Sequence, residues 1–164
     1  MNSIKTFPID DLDLEILKIL SIDSRKNKSA IADELNRSPN TIIKHISNLE
    51  ENGVIKNYGA QIDYEKLGYN IIALIELTIS KGKMLEIEQD LGKNPDIFAV
   101  YDITGEYDAL ILARFKNKGE LSKMIKEIHK SPYVERTNTH FVLNVIKEHS
   151  SLSELLEKEL RNVQ

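Results

Sequence analysis

Between Ser38 and Leu49 the chain sets Asn40, Thr41, Lys44, His45, Ser47 and Asn48 around three apolar residues, Ile42, Ile46 and Leu49. The apolar three recur at spacings of four and three, which is one face of a helix, so the polar six point elsewhere. No acid occurs from Asn40 to Asn48. Amides, hydroxyls and cations are the groups that read base edges and hold phosphate oxygens. Ser38 followed by Pro39 is a helix start, and Gly53 is placed to end the helix in a left-handed cap. The spacing predicts a DNA-recognition helix. Taken alone it describes an ordinary solvated helix face about as well. Arg25, Lys26, Lys28, Arg37 and Lys44 oppose only Asp33 and Glu34 in the same region, a local basic excess in a chain whose net charge is −4. Contact with DNA must therefore rest on this patch and not on the whole surface. The candidate DNA-contacting residues are Arg25, Lys28, Ser38, Asn40, Thr41, Lys44, His45 and Asn48.

Catalytic chemistry is not written into the sequence. There is no cysteine, which removes disulfides, thiolate nucleophiles and cysteine metal sites. The four histidines, His45, His129, His140 and His149, lack metal-ligand spacing, and neither a glycine-rich phosphate loop nor a nucleophile elbow occurs. No catalytic residue, metal or cofactor is expected. No apolar run reaches the length of a membrane span, and the first residues lack the apolar core of a signal peptide, which places the protein in the cytoplasm.

The elements that must carry the polar helix follow from periodicity. Asp10 or Asp11 can cap a first helix with Leu12, Ile16, Leu17 and Leu20 inward. Residues 29–35 form a short second helix, and Asn36-Arg37 is the turn before the third. That is a helix-turn-helix. Residues 54–58 and 60–63 read as short strands around Gly59, a wing. The rhythm then changes. Strands are expected at 71–79, 97–103, 107–115 and 134–146, with helices at 83–91 and around Leu121, Met124, Ile125 and Ile128. The order βαββαβ is the ferredoxin-like arrangement. The fold class is thus α+β: an N-terminal winged helix-turn-helix over 1–58, a linker over 59–69, a ferredoxin-like domain over 70–149, and an extra C-terminal helix over 150–164. In that helix Ser151 and Glu154 form a capping box, and Leu152, Leu155, Leu156 and Leu160 share a face. Both faces of strand 71–79 are apolar, and two helices cover only one side of a four-stranded sheet. The other side calls for a second chain.

Over residues 9–147 the chain resembles the Lrp/AsnC family of transcription regulators. The likeness rests on the opening helix 10–17, on Arg25, Ile31, Ala32, Leu35 and Ser38, and on Thr41, Ile42, Ile46, Leu49, Glu50, Gly53, Val54, Ile55 and Tyr58. It extends to Leu67-Gly68-Tyr69, to Thr104-Gly105-Glu106-Tyr107-Asp108, and to Val134, Thr137, Thr139, Val142 and Leu143. The chain departs from the family in having His45 where arginine is usual, and in the helix beyond Ile146. The resemblance implies binding to double-stranded DNA. It implies a domain that binds an amino-acid effector between subunits, and dimers that stack into tetramers or octamers. The effector site would lie near Gly105, Glu106, Tyr107 and Asp108 and the last strand. An ammonium there needs Asp108 or Glu106, and a carboxylate needs amides or hydroxyls such as the Gly105 backbone, Thr137 or Thr139. The plain alternative makes Asp108 a turn residue and the threonines mere strand formers. Two other functions stay open: an architectural protein that wraps DNA and ignores small molecules, and a metabolite-binding or enzymatic ferredoxin-like protein.

Overall fold

The computed structural model describes residues 7–80, 82–148 and 152–162. The chain forms two compact units. One comprises the chain up to Gln61 together with the chain from Lys147 on; the other runs from Ile62 to Ile146.

The first unit contains α1 (Asp11–Ile22), α2 (Lys28–Glu34), α3 (Pro39–Glu51) and α6 (Leu152–Asn162). Asp10 is the cap of α1, through a reciprocal capping box with Asp13. Asn27 caps α2 and Ser38 caps α3. The turn between α2 and α3 is made by Asn36 at φ 51°, a left-handed position that asparagine tolerates. At the end of α3, Gly53 N–H donates to the Glu50 carbonyl at 3.0 Å and Val54 N–H to the Leu49 carbonyl at 2.9 Å. With Gly53 at φ +70° this is a Schellman stop. Ile16, Ile31, Ala32, Ile42, Ile46 and Leu49 form the core. The small Ala32, fully buried, sits in the core where α2 and α3 pack. The C-terminal helix packs along α1 and buries Leu156, whereas Leu155 is exposed. Ser151 and the side chain of Leu160 lie outside the described residues.

The two short strands expected at 54–58 and 60–63 are not formed: residues 54–63 contain no strand. An isolated hairpin is marginal in water, and among the described residues of the first unit no strand is available to pair with the segment.

The second unit contains β1 (Ile71–Ile79), α4 (Met84–Leu91), β2 (Ile97–Asp102), β3 (Ala109–Phe115), α5 (Lys118–Ile128) and β4 (Val134–Phe141). The sheet order is β2-β3-β1-β4 and every pair is antiparallel, the ferredoxin-like topology. A single 3-10 turn, Glu65–Leu67, precedes β1. Arg114 stacks against the rings of Tyr64 and Phe98 at 4.5 and 3.9 Å, which fastens that turn to the sheet. Ala73, Ile75, Leu77 and Ile79 alternate with Ala109, Ile111, Ala113 and Phe115 on the covered face, against Ile87, Leu121, Met124 and Ile128 of the two helices. The last strand ends at Phe141, five residues earlier than its apolar pattern predicts. Among the described residues its one neighbour is β1, whose first residue, Ile71, falls opposite Leu143, so beyond that point there is no strand to pair with. Leu143 and Ile146 are accordingly exposed.

Candidate functional site

The recognition helix is built as its spacing requires. Ile42, Ile46 and Leu49 are buried, while Asn40, Lys44 and Asn48 are exposed. Two candidate hydroxyls are spent on the helix start: the Ser38 hydroxyl accepts the Thr41 N–H at 3.1 Å and shares a hydrogen bond with the Thr41 hydroxyl at 2.8 Å. Asn48 accepts from the Asn52 side chain, which leaves its own amide N–H₂ to donate. Arg25, Lys28, Arg37 and Lys44 are exposed, whereas Lys26 is paired with Glu34. The surface cations near α3 are thus Arg25, Lys28, Arg37 and Lys44. Tyr58, on the extended segment, donates its hydroxyl to Glu50 at 2.7 Å. Burial and the adjacent carboxylate push its pKa up to about 12, making the hydroxyl a weaker acid.

His45 is more covered than Asn40, Lys44 and Asn48. Its imidazole is three-quarters covered, and Nδ1 lies 2.7 Å from Asp13 Oδ1. Asp13 is a buried charged residue. Its second oxygen accepts the Asp10 N–H at 3.1 Å. Asp10, Asp13 and His45 bring three ligand-type atoms within 4.8 Å of one another. Both Asp13 oxygens already take proton donors there, so the trio serves as a helix cap joined to a histidine.

In the second unit the expected effector residues are held in different ways. Asp108 is bound into the sheet: its N–H donates to the Leu77 carbonyl, its carbonyl accepts from Ile103, and its carboxylate accepts the Ile79 N–H at 2.8 Å. Glu106 is exposed and pairs with Arg136 at 3.0 Å, and the Arg136 guanidinium lies 5.3 Å from the Tyr107 ring. Thr137 and Thr139 pair with Leu77 and Ile75, whose side chains lie under the helices. They therefore point to the opposite face of the sheet from Arg136. The Thr137 hydroxyl meets His129 Nε2 at 3.0 Å. Gly105, at φ +129°, has open space where a side chain would stand.

On the uncovered face Ile72, Leu74, Leu110 and Leu112 are half-buried side by side. Among them Glu76 accepts from Asn138 at 2.8 Å and meets His140 Nε2 at 3.0 Å. The His140 and Asn138 contacts hold the Glu76 carboxyl below its ordinary range. Neither Arg136 nor this cluster was singled out from the sequence. The alternation of β4 put Asn138 and His140 on one face, but the residue they meet lies more than sixty positions earlier.

Comparison with known proteins fixes the identity of both units. The family model for the winged helix-turn-helix DNA-binding domain matches residues 9–56, and that for the Lrp/AsnC ligand binding domain matches residues 72–152. An uncharacterised HTH-type transcriptional regulator of Pyrococcus abyssi is 41% identical over 140 residues, covering 85% of this chain and 95% of its own. The chain belongs to the Lrp/AsnC family. It is a DNA-binding transcription regulator of that family. The HTH-type transcriptional regulator FL11 of Pyrococcus horikoshii is 39% identical, over 88% of this chain and 96% of its own. Among solved structures, Escherichia coli AsnC superposes with a TM-score of 0.82 at 23% identity, covering 88% of this chain and 98% of that one, a likeness of fold. A transcriptional regulator of Neisseria meningitidis solved as a complex with L-Met superposes with a TM-score of 0.79 at 25% identity, over 90% of this chain and 99% of that one. The matched Lrp/AsnC domain ends at residue 152, so α6 lies almost wholly outside it. Among the described residues no helix is long and apolar enough to cross a membrane.

Proposed function

We propose that this Lrp/AsnC regulator acts as a dimer or higher homo-oligomer whose DNA binding responds to a free amino acid. The observation that carries the effector reading is the exposed Glu106–Arg136 pair beside the open backbone of Gly105. An amino acid is a zwitterion. Its ammonium matches Glu106 and its carboxylate matches the planar fork of Arg136, so ligand and pair can exchange partners without leaving either charge unmatched. Tyr107, under Arg136, supplies a ring for the side-chain end. The L-Met complex of the Neisseria relative supports the same ligand class. Asp108, Thr137 and Thr139 then serve the frame of the site.

The oligomer reading rests on the uncovered face with Ile72, Leu74, Leu110 and Leu112. Burying one such side chain contributes about 1.5–3 kcal/mol, and a second copy doubles the set. An effector changes DNA affinity only by binding two assemblies unequally, which a site near the edge of that face allows. The test is calorimetry with a panel of amino acids on the wild type and on Glu106→Gln and Arg136→Gln. One amino acid binds the wild type, and each variant weakens it about tenfold to a hundredfold. If no amino acid binds the wild type, the effector reading is wrong and DNA wrapping without a ligand takes its place. A monomer by light scattering at micromolar concentration would overturn the oligomer reading.

A further inference from the structure

We propose that His45 is a positioning residue for DNA recognition: it sets the rotation of α3 about its own axis through Asp13, and it touches no DNA itself. Apolar contacts hold α3 in place but have little directional preference. The Nδ1–Oδ1 contact of 2.7 Å does have one. It joins residues 32 apart in sequence. Its acceptor is itself immobile, because Asp13 N–H donates to Asp10 at 2.8 Å and Asp13 Oδ2 receives the Asp10 N–H at 3.1 Å. The recognition helix is thereby keyed to the first turn of α1. Asp10 Oδ1 lies 3.9 Å from Nδ1.

The leverage is geometric. A helix with side chains has a radius of about 5–6 Å, so a rotation of about 10° moves a base-reading atom by about 1 Å. Recognition groups need placement within about 0.5 Å. Asn40, Lys44 and Asn48 are exposed on α3, and because they ride on one rigid helix a rotation would misplace them together. A misplaced bidentate base contact loses about five- to hundredfold in discrimination. Non-specific phosphate binding, which depends on charge, would be untouched.

The experiment uses the full chain and a duplex selected by the wild type from a randomised pool, with a scrambled duplex as control. Affinities are measured over a salt series below the melting temperature of each variant. His45→Ala is expected to lower affinity for the selected duplex about ten- to hundredfold, to leave the scrambled duplex within about twofold, and to keep the salt slope. His45→Asn, whose Nδ2 stands where Nδ1 stood, is expected to recover most of the loss. If the alanine variant is not folded at the assay temperature, His45→Leu fills the space without a donor and carries the same expectation. A salt slope lowered by about one unit in His45→Ala or His45→Leu, with both duplexes weakened alike, would make His45 a phosphate ligand and overturn the proposal. So would an unchanged ratio between the two duplexes, or an asparagine variant that is folded and no better than alanine.

Discussion

The Asp108 carboxylate accepts the Ile79 N–H at 2.8 Å, across 29 positions of sequence. Ile79 is where the β1–β4 ladder shifts register, and the β1–β3 ladder has already ended at Leu77. The N–H of Ile79 has no regular strand partner there, and Asp108 supplies one. An aspartate that resembles a ligand residue in sequence is thus a clamp at the end of the sheet.

This clamp sets the first expectation. Asp108→Ala removes an acceptor from a half-buried N–H and should cost about 1–3 kcal/mol. Asp108→Asn keeps an acceptor and should cost less. Thermal unfolding of the two variants checks the order. An alanine variant that melts with the wild type would show the clamp to be idle.

On DNA, Lys44 and Asn48 should divide by chemistry. Lys44→Ala should weaken binding to every duplex and lower the salt slope by about one unit, the signature of one phosphate. Asn48→Ala should leave the slope alone and relax sequence preference by about 1–3 kcal/mol at a single base position. Titration of a selected and a scrambled duplex at several salt concentrations measures both. Unchanged affinity in the double variant would remove α3 from the DNA surface.

The C-terminal helix makes a separate prediction. Leu156 is 8% exposed in the unit that holds α1. Leu156→Ala should destabilise that unit by about 2–5 kcal/mol. Hydrogen exchange resolved along the chain should then rise in α1 and stay constant in the strands of the second unit. Exchange in α1 equal to that of the parent would mark the helix as a solvated tail.

Glu76 predicts a dependence on acid. Its carboxyl titrates below the ordinary value of 4.5, held there by His140 first and Asn138 second. A carboxyl depressed in the folded state binds fewer protons than in the unfolded chain. The stability it contributes is therefore complete above the ordinary value and is lost as pH falls through the depressed one. The melting temperature of the wild type should drop more steeply below about pH 4.5 than that of Glu76→Gln. Parallel curves for the two proteins would count against the Glu76–His140 contact.

What the sequence determined by itself was everything local. Spacings of three and four, with a capping serine and a stopping glycine, define α3 to within two residues, and Ile71–Ile79 is legible as a strand from its own composition. The order of elements then leaves the ferredoxin-like sheet as the natural arrangement. Tertiary structure alone decided what depends on residues distant in sequence. His45 reads as a polar residue of a recognition helix, but Asp13, on another helix, turns it into the domain. Thr137 and Thr139 alternate correctly, yet only packing reveals that their face lies toward the helices while Arg136 and Glu106 lie elsewhere. The residues after Gly53 have strand composition and no strand, because a ladder needs a neighbour that the segment cannot provide for itself. Periodicity is a property of neighbours along the chain. Hydrogen-bond partners and covered faces are properties of neighbours in space, and those are fixed only when the chain folds.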